Sequence, residues 1–124
     1  MKTISLNVYD ETVKEIDIED SLDAFYEELQ CSTIDIVTRR IGRKVFDVMC
    51  DDEGLFHDPQ KISAIDNLGR PMLVGNLMFF HHDDEGNLTG LDARDRRYLR
   101  DRICELSTSA FPNGYPMMTQ MEYC

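Results

Sequence analysis

Basic residues are scarce in this 124-residue chain: 13 Lys+Arg stand against 24 Asp+Glu, a formal net charge of −11. The basic footprint that grips nucleic-acid phosphates is therefore missing. No apolar run approaches the ~18 residues of a membrane-spanning helix. Residues 1–10 alternate apolar and polar side chains, which does not read as a secretory signal. The four cysteines, Cys31, Cys50, Cys104 and Cys124, form no C-x-x-C pair and match no zinc spacing. Without a secretory signal they read as reduced thiols. Gly42, Gly69 and Gly75 compose no phosphate-cradling motif. No nucleophile–base pair or metal set is recognisable, so no catalytic residue, metal or cofactor is expected. Membrane proteins, secreted disulfide scaffolds, solenoids and basic nucleic-acid binders are excluded. What is left is one small, acidic domain of the cytoplasm.

The pattern that is present is strand-rich. Ile4, Leu6 and Val8 alternate with Thr3, Ser5 and Asn7, the period of a half-buried strand. Asp10-Glu11 makes a turn, and Val13, Ile16 and Ile18 continue as a second strand. Leu22, Phe25, Tyr26 and Leu29 recur at helical spacing behind Asp20 or Ser21 as N-cap. Two strands follow, over 33–41 and 44–50, joined by a turn whose Gly42 supplies the positive φ. Residues 55–71 read as a loop with a short helical turn near 62–68. Residues 72–80 form the most apolar strand, placed centrally. Asp92 then caps a long helix with Leu91, Leu99, Ile103 and Leu106 along one side. The fold expected is α+β: an antiparallel or mixed sheet of five to six strands with two main helices packed on it. Residues 1–106 make the domain, and 107–124 an irregular tail, apolar enough to pack back or to meet a partner.

Asp51-Asp52-Glu53-Gly54 recurs as Asp83-Asp84-Glu85-Gly86. Asp opens such a turn and Gly closes it; a calcium loop needs further ligands that neither copy has. His81 and His82 are neighbours on a strand, point to opposite faces and read as solvent-facing turn residues. Val74-Gly75-Asn76 interrupts the apolar run, which implies a bulge, a close backbone approach, or a ligand seated over Gly75.

Charge distribution is the most informative feature. Residues 1–38 hold ten acids and two bases, whereas 39–124 hold fourteen acids and eleven bases. Asp10, Glu11, Glu15, Asp17, Glu19, Asp20, Asp23, Glu27 and Glu28 crowd into one short stretch. An acid excess keeps a protein soluble. Carboxylates spaced along a helix and its flanking turns also imitate a row of phosphates, which lets such a surface dock in a basic groove.

The chain resembles an uncharacterised family that carries the domain-of-unknown-function label 3846. The resemblance rests on Leu22-Asp23-Ala24-Phe25, Cys50-Asp51-Asp52-Glu53-Gly54-Leu55, Asn67, Val74-Gly75-Asn76, Asp84-Glu85-Gly86 and Leu91-Asp92-Ala93-Arg94-Asp95. Gln30-Cys31-Ser32-Thr33 stands where the family has a Gly-Gly-aromatic turn. The resemblance implies an origin in phages or conjugative elements of Firmicutes and brings no known reaction. By analogy with small acidic anti-defence proteins, it implies an inhibitor in the bacterial host cytoplasm. Such an inhibitor would be of the anti-CRISPR or anti-restriction type. Its partner would be a nucleic-acid-binding nuclease or effector, for which it competes with nucleic acid. The acidic stretch would be its contact surface. Two alternatives remain: a generic interaction domain, or a sponge for a phosphorylated nucleotide signal. Arg39, Arg40, Gly75, Asn76, Arg97 and Arg100 would bind that signal, because arginine suits phosphate.

Overall fold

A computed structural model describes residues 1–53, 61–106 and 115–123, with the backbone alone for 104–106 and 115–118. Among them the chain is mostly β. Strand β1 (Lys2–Asn7) and β2 (Thr12–Asp17) precede helix α1 (Leu22–Leu29), and the hairpin β3 (Ile34–Ile41) and β4 (Lys44–Asp51) follows it. Then come β5 (Ile62–Ile65), β6 (Pro71–Val74), β7 (Leu77–His82), β8 (Leu88–Thr89) and α2 (Ala93–Arg102). The last are β9 (Cys104–Leu106), β10 (Tyr115–Gln120) and β11 (Glu122–Tyr123).

Seven strands form one sheet in the order β11-β3-β4-β7-β1-β2, with β8 also on β7. Four form a second sheet, β6-β5-β10-β9. This corrects the α+β expectation of a single five- to six-stranded sheet. The missed strands are β5, β9, β10 and β11: β5, β9 and β11 have four residues or fewer, and β10 pairs with β5 more than fifty residues away. β5 is four residues long and buried throughout, so it shows no alternation. It occupies the stretch expected to make a helical turn. The single strand expected over 72–80 is two, because Gly75 takes φ +84 between them and its N–H donates to Lys61 O at 2.8 Å. That turn passes the chain from the small sheet to the large one. Residues 115–123 are strand instead of an irregular tail: β10 runs parallel to β5, and β11 pairs antiparallel with β3. Met121, fully buried between them, donates its N–H to Ile65 O. The rest of that tail, 107–114 and Cys124, lies outside the described residues, as does the 54–60 part of the expected loop.

Strand alternation gives the large sheet two apolar faces. Ile4, Leu6, Phe46, Val48, Leu77 and Phe79 project to one side and meet Leu99 and Ile103 near α2 and Ala64 of β5. Met49, Met78 and Phe80 project to the other and meet Phe25 and Leu29 of α1. Phe25 sits edge-on to Phe80, centroids 5.8 Å apart. Each such buried side chain stabilises by roughly 1.5–3 kcal/mol, which is what fixes an eight-residue helix too short to persist alone. Its caps are sequence-encoded: Ser21 Oγ accepts the Ala24 N–H at 3.2 Å. At the other end Gln30 takes the left-handed conformation, φ 57 and ψ 48, and Cys31 N–H closes on Tyr26 O. Only glycine adopts that conformation without a Cβ penalty. Replacing Gln30 by Gly is therefore expected to stabilise the fold by about 0.5–1 kcal/mol, read as a higher urea midpoint at unchanged slope.

Candidate functional site

The acidic stretch is divided by the sheet. Glu15 lies on the same side of β2 as Val13 and reaches α2, 3.5 Å from Arg100 and 3.9 Å from Arg96. Asp17 takes the N-terminal ammonium at 3.1 Å. Glu28, half-buried on α1, accepts from Ser5 Oγ at 2.8 Å and lies 3.5 Å from Lys14. These three of the nine expected contact residues are engaged within the fold. The remaining six are exposed: Asp10 and Glu11 at the β1–β2 turn, Glu19 and Asp20 before α1, Asp23 and Glu27 on it. None of the six forms an ion pair with a described residue. Glu19, Asp20, Asp23 and Glu27 lie on or just before α1, while the arginines of α2 lie across the sheet from it.

The alternative ligand set is not brought together either. Arg39 and Arg40, neighbours on β3, line separate cavities of 390 and 320 Å³. Arg100 turns to Glu15 instead, and Arg97 is exposed on α2. Asn76 is a staple and not a ligand group. Fully enclosed, it accepts the Val8 N–H at 3.0 Å and donates to Leu29 O at 3.2 Å, tying the end of β1 to the end of α1. Gly75 is buried, with Tyr9 Oη and Asp51 Cβ 3.9 Å from where its Cβ would stand.

Residues that sequence reasoning passed over surround the two histidines, which end β7 instead of lying in a turn, His82 solvent-facing as expected and His81 partly covered. His81 Nε2 lies 2.9 Å from Asp95 Oδ2, and its ring stacks on Phe46 at 5.0 Å. Lys44 completes that group at 2.5 Å from Asp95, so burial raises the Asp95 carboxyl less than Lys44 and His81 lower it. On the opposite face, His82 Nδ1 lies 2.5 Å from Oδ2 of the buried Asp47, and Thr38 Oγ1 donates to Asp47 Oδ1. No sequence signal joins these partners, which are far apart along the chain. Burial pushes the Cys50 thiol up to about 12, reinforced by Asp35, and Cys31 up to about 11, reinforced by Asp51. Both are protonated at neutral pH and poor nucleophiles. Among the described residues no three His, Cys, Asp or Glu side chains are grouped to hold a metal ion. The turn echo is as expected where it is described: Asp83 Oδ1 accepts from Glu85 and Asn87 N–H, both at 2.9 Å. No helix among the described residues is long and apolar enough to cross a membrane.

Residues 1–103 match the family described as a domain of unknown function, DUF3846. The chain belongs to this family. Neither the curated proteins nor the solved structures contain a match. The matched span ends just beyond α2, so it takes in the large sheet apart from β11 and all nine expected acidic contacts.

The His82 hydrogen bond to Asp47, with the Asp47 charge, raises the imidazole above its ordinary 6.5. The stabilisation from a raised histidine is complete below its unfolded pKa and is lost as pH rises through the folded one. An NMR titration is expected to place His82 above 6.5, and Asp47→Asn to bring it down. A His82 pKa unmoved by Asp47→Asn contradicts the pairing.

Proposed function

We propose that this member of the DUF3846 family is a non-enzymatic inhibitor that presents carboxylates to a basic nucleic-acid groove of a bacterial defence protein. The target class is a CRISPR effector or restriction nuclease in the host cytoplasm, met by a protein of phage or mobile-element origin. The observation that supports this is the set of six exposed carboxylates, four on or just before α1 and two at the β1–β2 turn, that no described cation neutralises. An unneutralised cluster is attractive to a partner in a way an internally paired one is not. It speeds encounter and keeps its Coulombic gain for the complex. Glu15, Asp17 and Glu28 drop out of the contact set because their charge is already met.

Two features favour binding over turnover: the described thiols are held protonated, and the two histidines are each committed to a carboxylate. The sponge reading loses support at the residues named for it, since Asn76 is used by the fold and the arginines do not converge.

Rim charges contribute about 0.5–1 kcal/mol each, so several must be reversed together. With a panel of restriction and RNA-guided nucleases, the protein is expected to compete with DNA or guide RNA for one of them, and to bind less as salt rises. Asp20→Lys, Asp23→Lys and Glu27→Lys combined should weaken that binding at least tenfold, mainly through the association rate. Reversing Asp83 and Asp84 should do less. Binding unaffected by the triple reversal, or equal binding to a nuclease already loaded with nucleic acid, refutes the proposal.

A further inference from the structure

The 320 Å³ cleft beside the β3–β4 turn has walls made largely of charged and polar residues. Arg40 of β3 and Arg102 of α2 face it, with Thr119 and Gln120 of β10. Neither arginine has a carboxylate at ion-pair distance among the described residues. Arg102 is nevertheless held in place. Its guanidinium lies over the Tyr98 ring, 4.2 Å from the centroid. Tyr98 in turn donates to Ile41 O at 2.8 Å and accepts the Arg43 N–H at 2.7 Å. Gly42 makes this possible: a Cβ there would stand 2.3 Å from Tyr98 Oη and 2.9 Å from Arg102 Nε. A guanidinium held on a ring and lacking a carboxylate partner is prepared for an anion, because little side-chain freedom is lost when its planar fork engages oxygen atoms.

Thr119 packs at the wall of the cleft and is fully buried. Asp101 and Glu122 also line the cleft. They disfavour a bare anion and accept from hydroxyl or amino donors. A ligand suited to both charges carries a phosphate at one end and such donors at the other. The volume sits at the lower limit of small-molecule sites and suits a single nucleotide better than anything larger.

We infer that the cleft walled by Arg40, Arg102, Thr119 and Gln120 binds a nucleoside monophosphate. The inference is independent of the acidic surface, which lies on or just before α1 and at the β1–β2 turn, and uses only one of the arginines that the sequence nominated.

Titration calorimetry with AMP, and with adenosine as the phosphate-free control, tests it on the full chain. AMP is expected to bind and adenosine to bind at least tenfold more weakly. Arg40→Ala should weaken AMP at least tenfold. Arg97→Ala and the α1 charge reversals should leave it unchanged. Because Arg102 also braces Tyr98, its variant can lose the fold; Arg40 is exposed, and its variant, checked by thermal melting, carries the test. No heat with AMP at millimolar concentration overturns the inference, as does equal affinity for adenosine, or AMP binding untouched in Arg40→Ala.

Discussion

Strand β7 has no solvent side along its first four residues. Leu77 and Phe79 project into one core and Met78 and Phe80 into the other, and all four are fully buried. A strand in that position must be covered twice, so the chain supplies a layer on each face. Helix α1 covers one with Phe25 and Leu29. Helix α2 and the small sheet cover the other with Leu99, Ile103 and Ala64. The helices therefore lie on opposite sides of the sheet because of what β4, β7 and β1 bury, and their surface charges are separated as a consequence.

That separation decides which charges are available. The arginines of α2 cannot neutralise Asp23 and Glu27 across a sheet, and they find Glu15 on their own side instead. The adjacent histidines at the end of β7 follow the same alternation. His81 joins Asp95 and Lys44 on the α2 face, and His82 joins Asp47 on the α1 face. Asn76 closes the arrangement by tying β1 and α1 with both ends of its amide. The free carboxylates and the arginine-lined cleft are thus products of one packing constraint.

What the sequence made legible was local. The Ser21 and Asp92 caps and the Gly42 turn each lie within a few residues and have the expected structure, whereas β1 is a strand as expected but buried on both faces instead of half-buried. The second sheet was hidden because β5 and β9 are too short to carry a period, and because β10 reaches β5 from more than fifty residues away. The apolar run 72–80 read as one strand because periodicity does not register the turn that Gly75 makes between two sheets. The acid surplus was countable. Which acids were spent was not, since the pairing of Glu15 with Arg100 or Glu28 with Ser5 depends on tertiary position. Arg102 and Thr119 escaped notice for the same reason: neither belongs to a motif, and only the fold places them on one cleft.

The central claim is that the sheet leaves unneutralised negative charge on the α1 side and a less negative surface around α2. Solvent paramagnetic relaxation of backbone amides, measured with a cationic and an anionic nitroxide of equal size, reads the local potential at each residue without any partner. The amides of α1 and of residues 10–11 and 19–20 are predicted to relax much faster with the cationic probe than with the anionic one. The amides of α2 should show a clearly smaller ratio, and moderate salt should reduce the difference. Equal ratios on the two helices would contradict the account.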